Sequence, residues 1–136
     1  MNIARGLQCA SEHTVLIAKR GKKALKFDVE TQLRVVEPIY HASYSMLQKV
    51  IEVYSDLVLA DEGSMKRDFE NLTFLNDQVS KFLTRALTKS EERSAAPIHL
   101  LFVCRSLEQI GILSQKMMED MAFISESEDS EEDQLT

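Results

Sequence analysis

At 136 residues and a formal net charge of −6, the chain has the length of a single domain, and its 44% hydrophobic content is enough to build a core. Six of its 22 acidic residues (Glu126, Glu128, Asp129, Glu131, Glu132 and Asp133) crowd the last dozen positions without a Lys or Arg, so the body before them is formally neutral. That balance gives nucleic-acid binding no global support, no uninterrupted apolar run reaches membrane length, and no signal-like segment opens the chain, so a cytoplasmic protein is expected.

Residues 2–26 read as a first helix, with Ile3, Leu7, Ala10, Thr14 and Ile17 along one side. Gly6 weakens its early turns. Lys19, Arg20, Lys22, Lys23 and Lys26 make a basic end. Cations there complement the helix dipole, and they form the candidate surface for an acidic partner, a phosphate-rich ligand or an anionic lipid face.

A second long helix is expected over residues 31–59. Leu33, Val36, Tyr40, Ser43, Leu47, Val50, Tyr54 and Leu57 alternate three and four apart and are read as one inward seam. Pro38 either kinks a continuous helix or marks a fresh start; the seam running through it favours the kinked helix. Residues 60–64, ADEGS, break the pattern, with Gly63 permitting the turn and Ser64 capping the next helix. The third helix spans about 65–88, with Met65, Phe69, Leu72, Asn76, Val79, Phe82/Leu83 and Ala86 inward.

After the polar linker TKSEERSAAP, a fourth helix starts near Ser94–Pro97. Leu100, Cys104, Leu107, Gly111, Ser114, Met118, Met121 and Ile124 line it, widened by Leu101, Val103, Ile110, Leu113 and Met117. A stripe that broad wants helices against it. Met117, Met118 and Met121 are read as packing residues, and Cys9 and Cys104 as core thiols instead of a disulfide. Nothing alternates at period two long enough to demand a sheet. The expected fold is therefore all-α, an antiparallel four-helix bundle over 1–124, followed by a disordered acidic tail over 125–136. No polar set converges by spacing, His13, His41 and His99 have no ligand-like separation, and the four glycines are isolated. A non-enzymatic protein is expected.

Arg105-Ser106-Leu107-Glu108-Gln109-Ile110-Gly111 resembles the R-x-L-E-R-I-G-D motif that opens the last helix of each repeat in the PhoU family. Phe74-Leu75-Asn76-Asp77-Gln78-Val79-Ser80 looks like that family's preceding helix, and Ala4 to His13 is similar to the end of a previous repeat. The resemblance implies a three-helix repeat plus one additional N-terminal helix. It also implies a regulatory adaptor in phosphate transport or phosphate signalling that docks a transporter ATPase or a sensor kinase, peripherally associated with a membrane complex. A homodimer is expected too, since so wide a stripe exceeds what one small bundle hides.

Family members hold metal ions through carboxylates four apart on facing helices, and the resemblance would place Glu108, Glu12 and Asn76 as ligands here. The pattern is degenerate, because Asn76 and Ser80 stand where acids belong, Ile112 replaces the second carboxylate of the last helix, and Gln8 replaces that of the first. The expectation is no cofactor, with a divalent or ferric metal ion as the alternative, using further groups from another chain. Arg105 and Glu108 are read as an intrahelical ion pair. A generic helical assembly protein is the remaining alternative.

Overall fold

The computed structural model describes residues 2–26, 30–89 and 95–135. It is an all-α four-helix bundle: α1 (Ile3–Ala24), α2 (Glu30–Tyr54), α3 (Glu62–Lys89) and α4 (Ala96–Leu135). The helices are not arranged as a simple ring. Among the described residues, α4 packs against each of the other three, α2 also packs against α3, and α1 packs along α4 and not along α2 or α3. Paired residues give the directions. Ser43 bonds to Leu107, while Met46 and Leu72 both crowd Gly111. Asn76 bonds to Glu108, and Arg20 to His99. α2 thus runs parallel to α4, and α1 and α3 run against it.

The hub position explains the wide apolar stripe of α4. Leu100, Val103, Cys104, Leu107, Ile110, Leu113, Met117, Met118 and Met121 are all buried, as the spacing predicts, whereas Ile124 is half exposed. By length and composition Ala96–Glu128 is apolar enough to cross a membrane, contrary to the expectation that no stretch would be; 56% of that window is buried against the other helices, as suits a core helix. Each fully buried large side chain, among them Ile39, Met46, Leu72 and Leu83, contributes roughly 1.5–3 kcal/mol relative to exposure.

The α2 seam is rotated from the predicted one. Val36, Ser43 and Val50 are buried as expected, but their partners are Ile39 and Met46. Tyr40, Tyr54 and Leu57 face outward, and Leu33 and Leu47 are half-buried. α2 is continuous through Pro38, which sits on the exposed side where water can serve the carbonyl that its missing N–H leaves free. The helix also stops earlier than predicted. Asp56 adopts φ 60°, Leu57 N–H bonds to Glu52 O at 3.0 Å and Asp56 N–H to Val53 O at 3.1 Å. This is a Schellman ending with an aspartate in the left-handed position that glycine usually takes.

An L-residue pays roughly 1–2 kcal/mol there, and a carboxylate at a helix C-terminus opposes the dipole. Asp56→Gly is therefore expected to raise stability by about 0.5–1 kcal/mol in urea unfolding. A neutral or destabilising result would contradict this ending.

The turn between α2 and α3 does not use Gly63, which lies inside α3 with no positive φ. The α3 cap is Asp61, whose Oδ1 accepts from Ser64 N–H at 2.9 Å; Ser64 itself accepts from Lys49 Nζ at 3.0 Å. Lys49 also bonds to Asp68, tying α2 to α3. Along α3, Met65, Leu72, Val79 and Leu83 are buried and Phe69 and Asn76 half-buried, as the spacing predicts, whereas Phe82 is exposed. The linker residues 90–94, with Ser94 of the expected fourth-helix start, lie outside the described residues.

The acidic stretch differs from its expected disorder: α4 carries on in helical geometry through 125–135. Glutamate is a good helix former, and Ala122 still packs one turn before the stretch begins. Charge repulsion there acts on a helix already nucleated by the bundle.

Candidate functional site

The residues carrying the motif resemblance meet at the α3–α4 crossing. Asn76 Nδ2 donates to Glu108 Oε2 at 2.5 Å, while Asn76 Oδ1 is buried without a hydrogen-bond partner. One turn along α4, Gly111 lies against Leu72 and Met46; a Cβ there would overlap Leu72 Cδ2 and sit 3.4 Å from Met46 Sδ. The expected Arg105–Glu108 pair is replaced by this contact across helices, and Arg105 is exposed. Asp77 faces away, pairing with Lys81 at 3.0 Å.

Glu12 does not join Asn76 and Glu108. It is exposed on α1, and among the described residues α1 does not pack against α3. Among the described residues, no three His, Cys, Asp or Glu side chains converge. His13, His41 and His99 stand on three different helices; His41 sits 3.3 Å from Glu37. Cys9 and Cys104 are free thiols. Burial pushes the Cys104 thiol up to about 12, which leaves it protonated and unreactive near neutral pH.

The basic end of α1 divides in two. Lys19, Lys22, Lys23 and Lys26 are exposed, whereas Arg20 turns onto α4. Its guanidinium lies 4.2 Å from the centroid of the Phe102 ring, and Nη1 donates to His99 Nδ1 at 3.4 Å. This contact holds the C-terminal end of α1 against the start of α4. Desolvation, and then the charges of Arg20 and Lys23, lower the His99 pKa.

Because the folded pKa is lowered, the unfolded chain takes up a proton first as pH falls. Stability from this contact is full above the usual imidazole range and is lost as pH falls through it. Between about pH 7.5 and about pH 5, the protection factors of α1 amides, with the pH dependence of intrinsic exchange divided out, should fall toward the acid end, and His99→Gln should flatten the difference. An unchanged slope in His99→Gln would remove His99 as its cause.

The outer face of α2 is a surface that sequence spacing did not flag. Tyr40 (49% exposed), Tyr44 (54%), Ile51 (47%) and Tyr54 (62%) succeed one another at spacings of four, seven and three, with half-buried Leu47 between. The Tyr40 and Tyr44 rings stack at 6.0 Å. From Pro38 to Ile51 the charge-bearing side chains of α2 are Lys49, which is held by Asp68, and His41. Two tyrosines, Tyr40 and Tyr54, inside a supposed core seam were the available signal, since each needs a partner for its hydroxyl. Compared with protein-family models, with curated proteins and with solved structures, the chain matches none.

Proposed function

We propose that this protein is a non-enzymatic helical assembly module that works by presenting helix faces to other proteins. The observation that carries this reading is the α2 face, aromatic and almost free of charge in a chain that is 28% charged. Interface centres have that composition, rich in tyrosine and poor in Lys and Glu. Asn76 with Glu108, Arg20 with His99, and Lys49 with Ser64 and Asp68 join helices within the bundle. Affinity capture with the full chain and with Tyr40→Ala/Tyr44→Ala tests it. A partner retained by the first and lost by the second is expected; the same partners on both would overturn the reading.

A second reading draws its support from the Asn76–Glu108 contact, which joins the two helices that carry the PhoU-like motifs. On that reading the module is a cytoplasmic phosphate regulator docking a transporter ATPase or sensor kinase, with its metal carboxylates replaced. Asn76→Asp, Ser80→Asp and Ile112→Asp together with Glu108 would set four carboxylates along one crossing.

The metal-free triple variant should be destabilised by their repulsion and then rescued by manganese or iron. At a hundredfold excess of ion over its dissociation constant, the rescue is about 2.7 kcal/mol. A folded triple variant that ignores the ion in a thermal shift would sink the alignment.

A further inference from the structure

The two ends of the bundle carry opposite charge. Arg20 packs on His99 and Phe102, so Lys19, Lys22, Lys23 and Lys26 lie at the end where α4 begins. Glu126, Glu128 and Glu131 are exposed at the other end, where α4 continues. Between the ends runs the uncharged α2 face. α1 packs along α4 and meets α2 only where Ile3 and Tyr54 line one pocket, so among the described residues no other helix packs over Tyr40 and Tyr44.

The heights of these features match. Ser43 meets Leu107 and Met46 meets Gly111, so Leu47, mid-stripe, is level with about residue 111 of α4. Glu126 and Glu128 lie about 15 to 17 residues beyond that level, roughly 22–26 Å at 1.5 Å per residue. Lys23 and Lys26, a few residues past Arg20, lie about 20–24 Å from it in the opposite direction.

We propose that the α2 face is the contact of a two-fold homodimer in which the acidic α4 extension of each copy lies along the basic α1 end of the other. A two-fold axis through Leu47, perpendicular to α2, exchanges the ends and brings each acidic group level with a basic one. It also sets Tyr40 and Tyr44 of one copy against the Ile51–Tyr54 half of the second. The contact is self-complementary, as an isologous interface requires. The centre supplies desolvated aromatic area and the ends supply orientation, because parallel copies would set like charges together. The inference rests on the assembly reading and names its partner as a second copy of this chain.

Light scattering and sedimentation on the full chain test it. The wild-type protein should be a dimer at micromolar concentration, weakened by salt as exposed charge pairs are. Tyr44→Glu, on an exposed site, should keep its helical circular dichroism and raise the dissociation constant about tenfold or more. Lys22→Glu/Lys23→Glu/Lys26→Glu and Glu126→Lys/Glu128→Lys/Glu131→Lys should each be monomeric alone and form a heterodimer when mixed.

A wild-type monomer throughout the micromolar range overturns the proposal. So does a dimer indifferent to Tyr44→Glu, or a pair of reversed variants that stay apart on mixing. A monomer that still captures another protein through Tyr40 and Tyr44 leaves the assembly reading standing and sinks this one.

Discussion

Leu72→Ala is expected to cost about 2–5 kcal/mol and Gly111→Ala about 1–3, while the double variant loses clearly less than their sum. Leu72 is fully buried and its Cδ2 occupies the space that any β-carbon at position 111 would need. Adding that carbon forces Leu72 from its rotamer with no solvent to escape into, and Met46 Sδ, also fully buried, limits the retreat on the α2 side. The better helix propensity of alanine returns no more than about 1 kcal/mol. Removing the leucine side chain creates a cavity next to the crossing, and the alanine methyl then occupies part of it.

Residues in direct contact typically couple by about 0.5–3 kcal/mol, so urea unfolding of the two single variants and the double variant resolves the difference. Strict additivity would mean that α3 and α4 do not cross where the structure has them. For a domain stable by about 5–15 kcal/mol, either single loss is a large share.

How much of the fold was legible depends on what each residue type demands. The α4 stripe was readable because a helix packed by three neighbours buries most of its circumference, and that burial demands an almost continuous apolar pattern. The α3 stripe emerged from clean three–four spacing ending in Leu72, Val79 and Leu83. The contact between Asn76 and Glu108 was foreshadowed by a motif, although the motif's chemistry was absent.

α2 misled because it carries two apolar stripes side by side. Periodicity alone accepts Tyr40 and Tyr54 as readily as Ile39 and Met46, and only the phenolic hydroxyls argue for the outer position. The end of α2 was invisible because Asp56 takes a backbone conformation for which glycine is the usual signal, and the nearby Gly63 drew the turn to itself. The tail was read from charge, which predicts solvation and not the absence of helix. Convergence of Glu12 with Asn76 and Glu108 depended on which side of α4 the first helix takes, and no residue spacing reports that.

That placement of α1 sets the second large effect. Ala10→Leu should release α1 while leaving the α2–α3 pair closed. α1 buries only Gly6, Ala10 and Ala24, with Ile3, Leu7, Cys9 and Ile17 partly covered, so small residues bring its backbone close to α4. Ala10 is 3% exposed, and a leucine there must push the two helices apart at a cost of about 1–3 kcal/mol. Since among the described residues α1 packs along α4 and not along α2 or α3, that cost falls mainly on its own attachment.

Amide exchange should therefore quicken by roughly five- to a hundredfold along α1, with little change across α2 and α3. Ser11→Leu, one residue on and facing solvent, should leave the pattern alone. Equal acceleration in all four helices would show that α1 unfolds only with the rest. In that case the hub would be one cooperative unit and not three helices carrying a separable fourth.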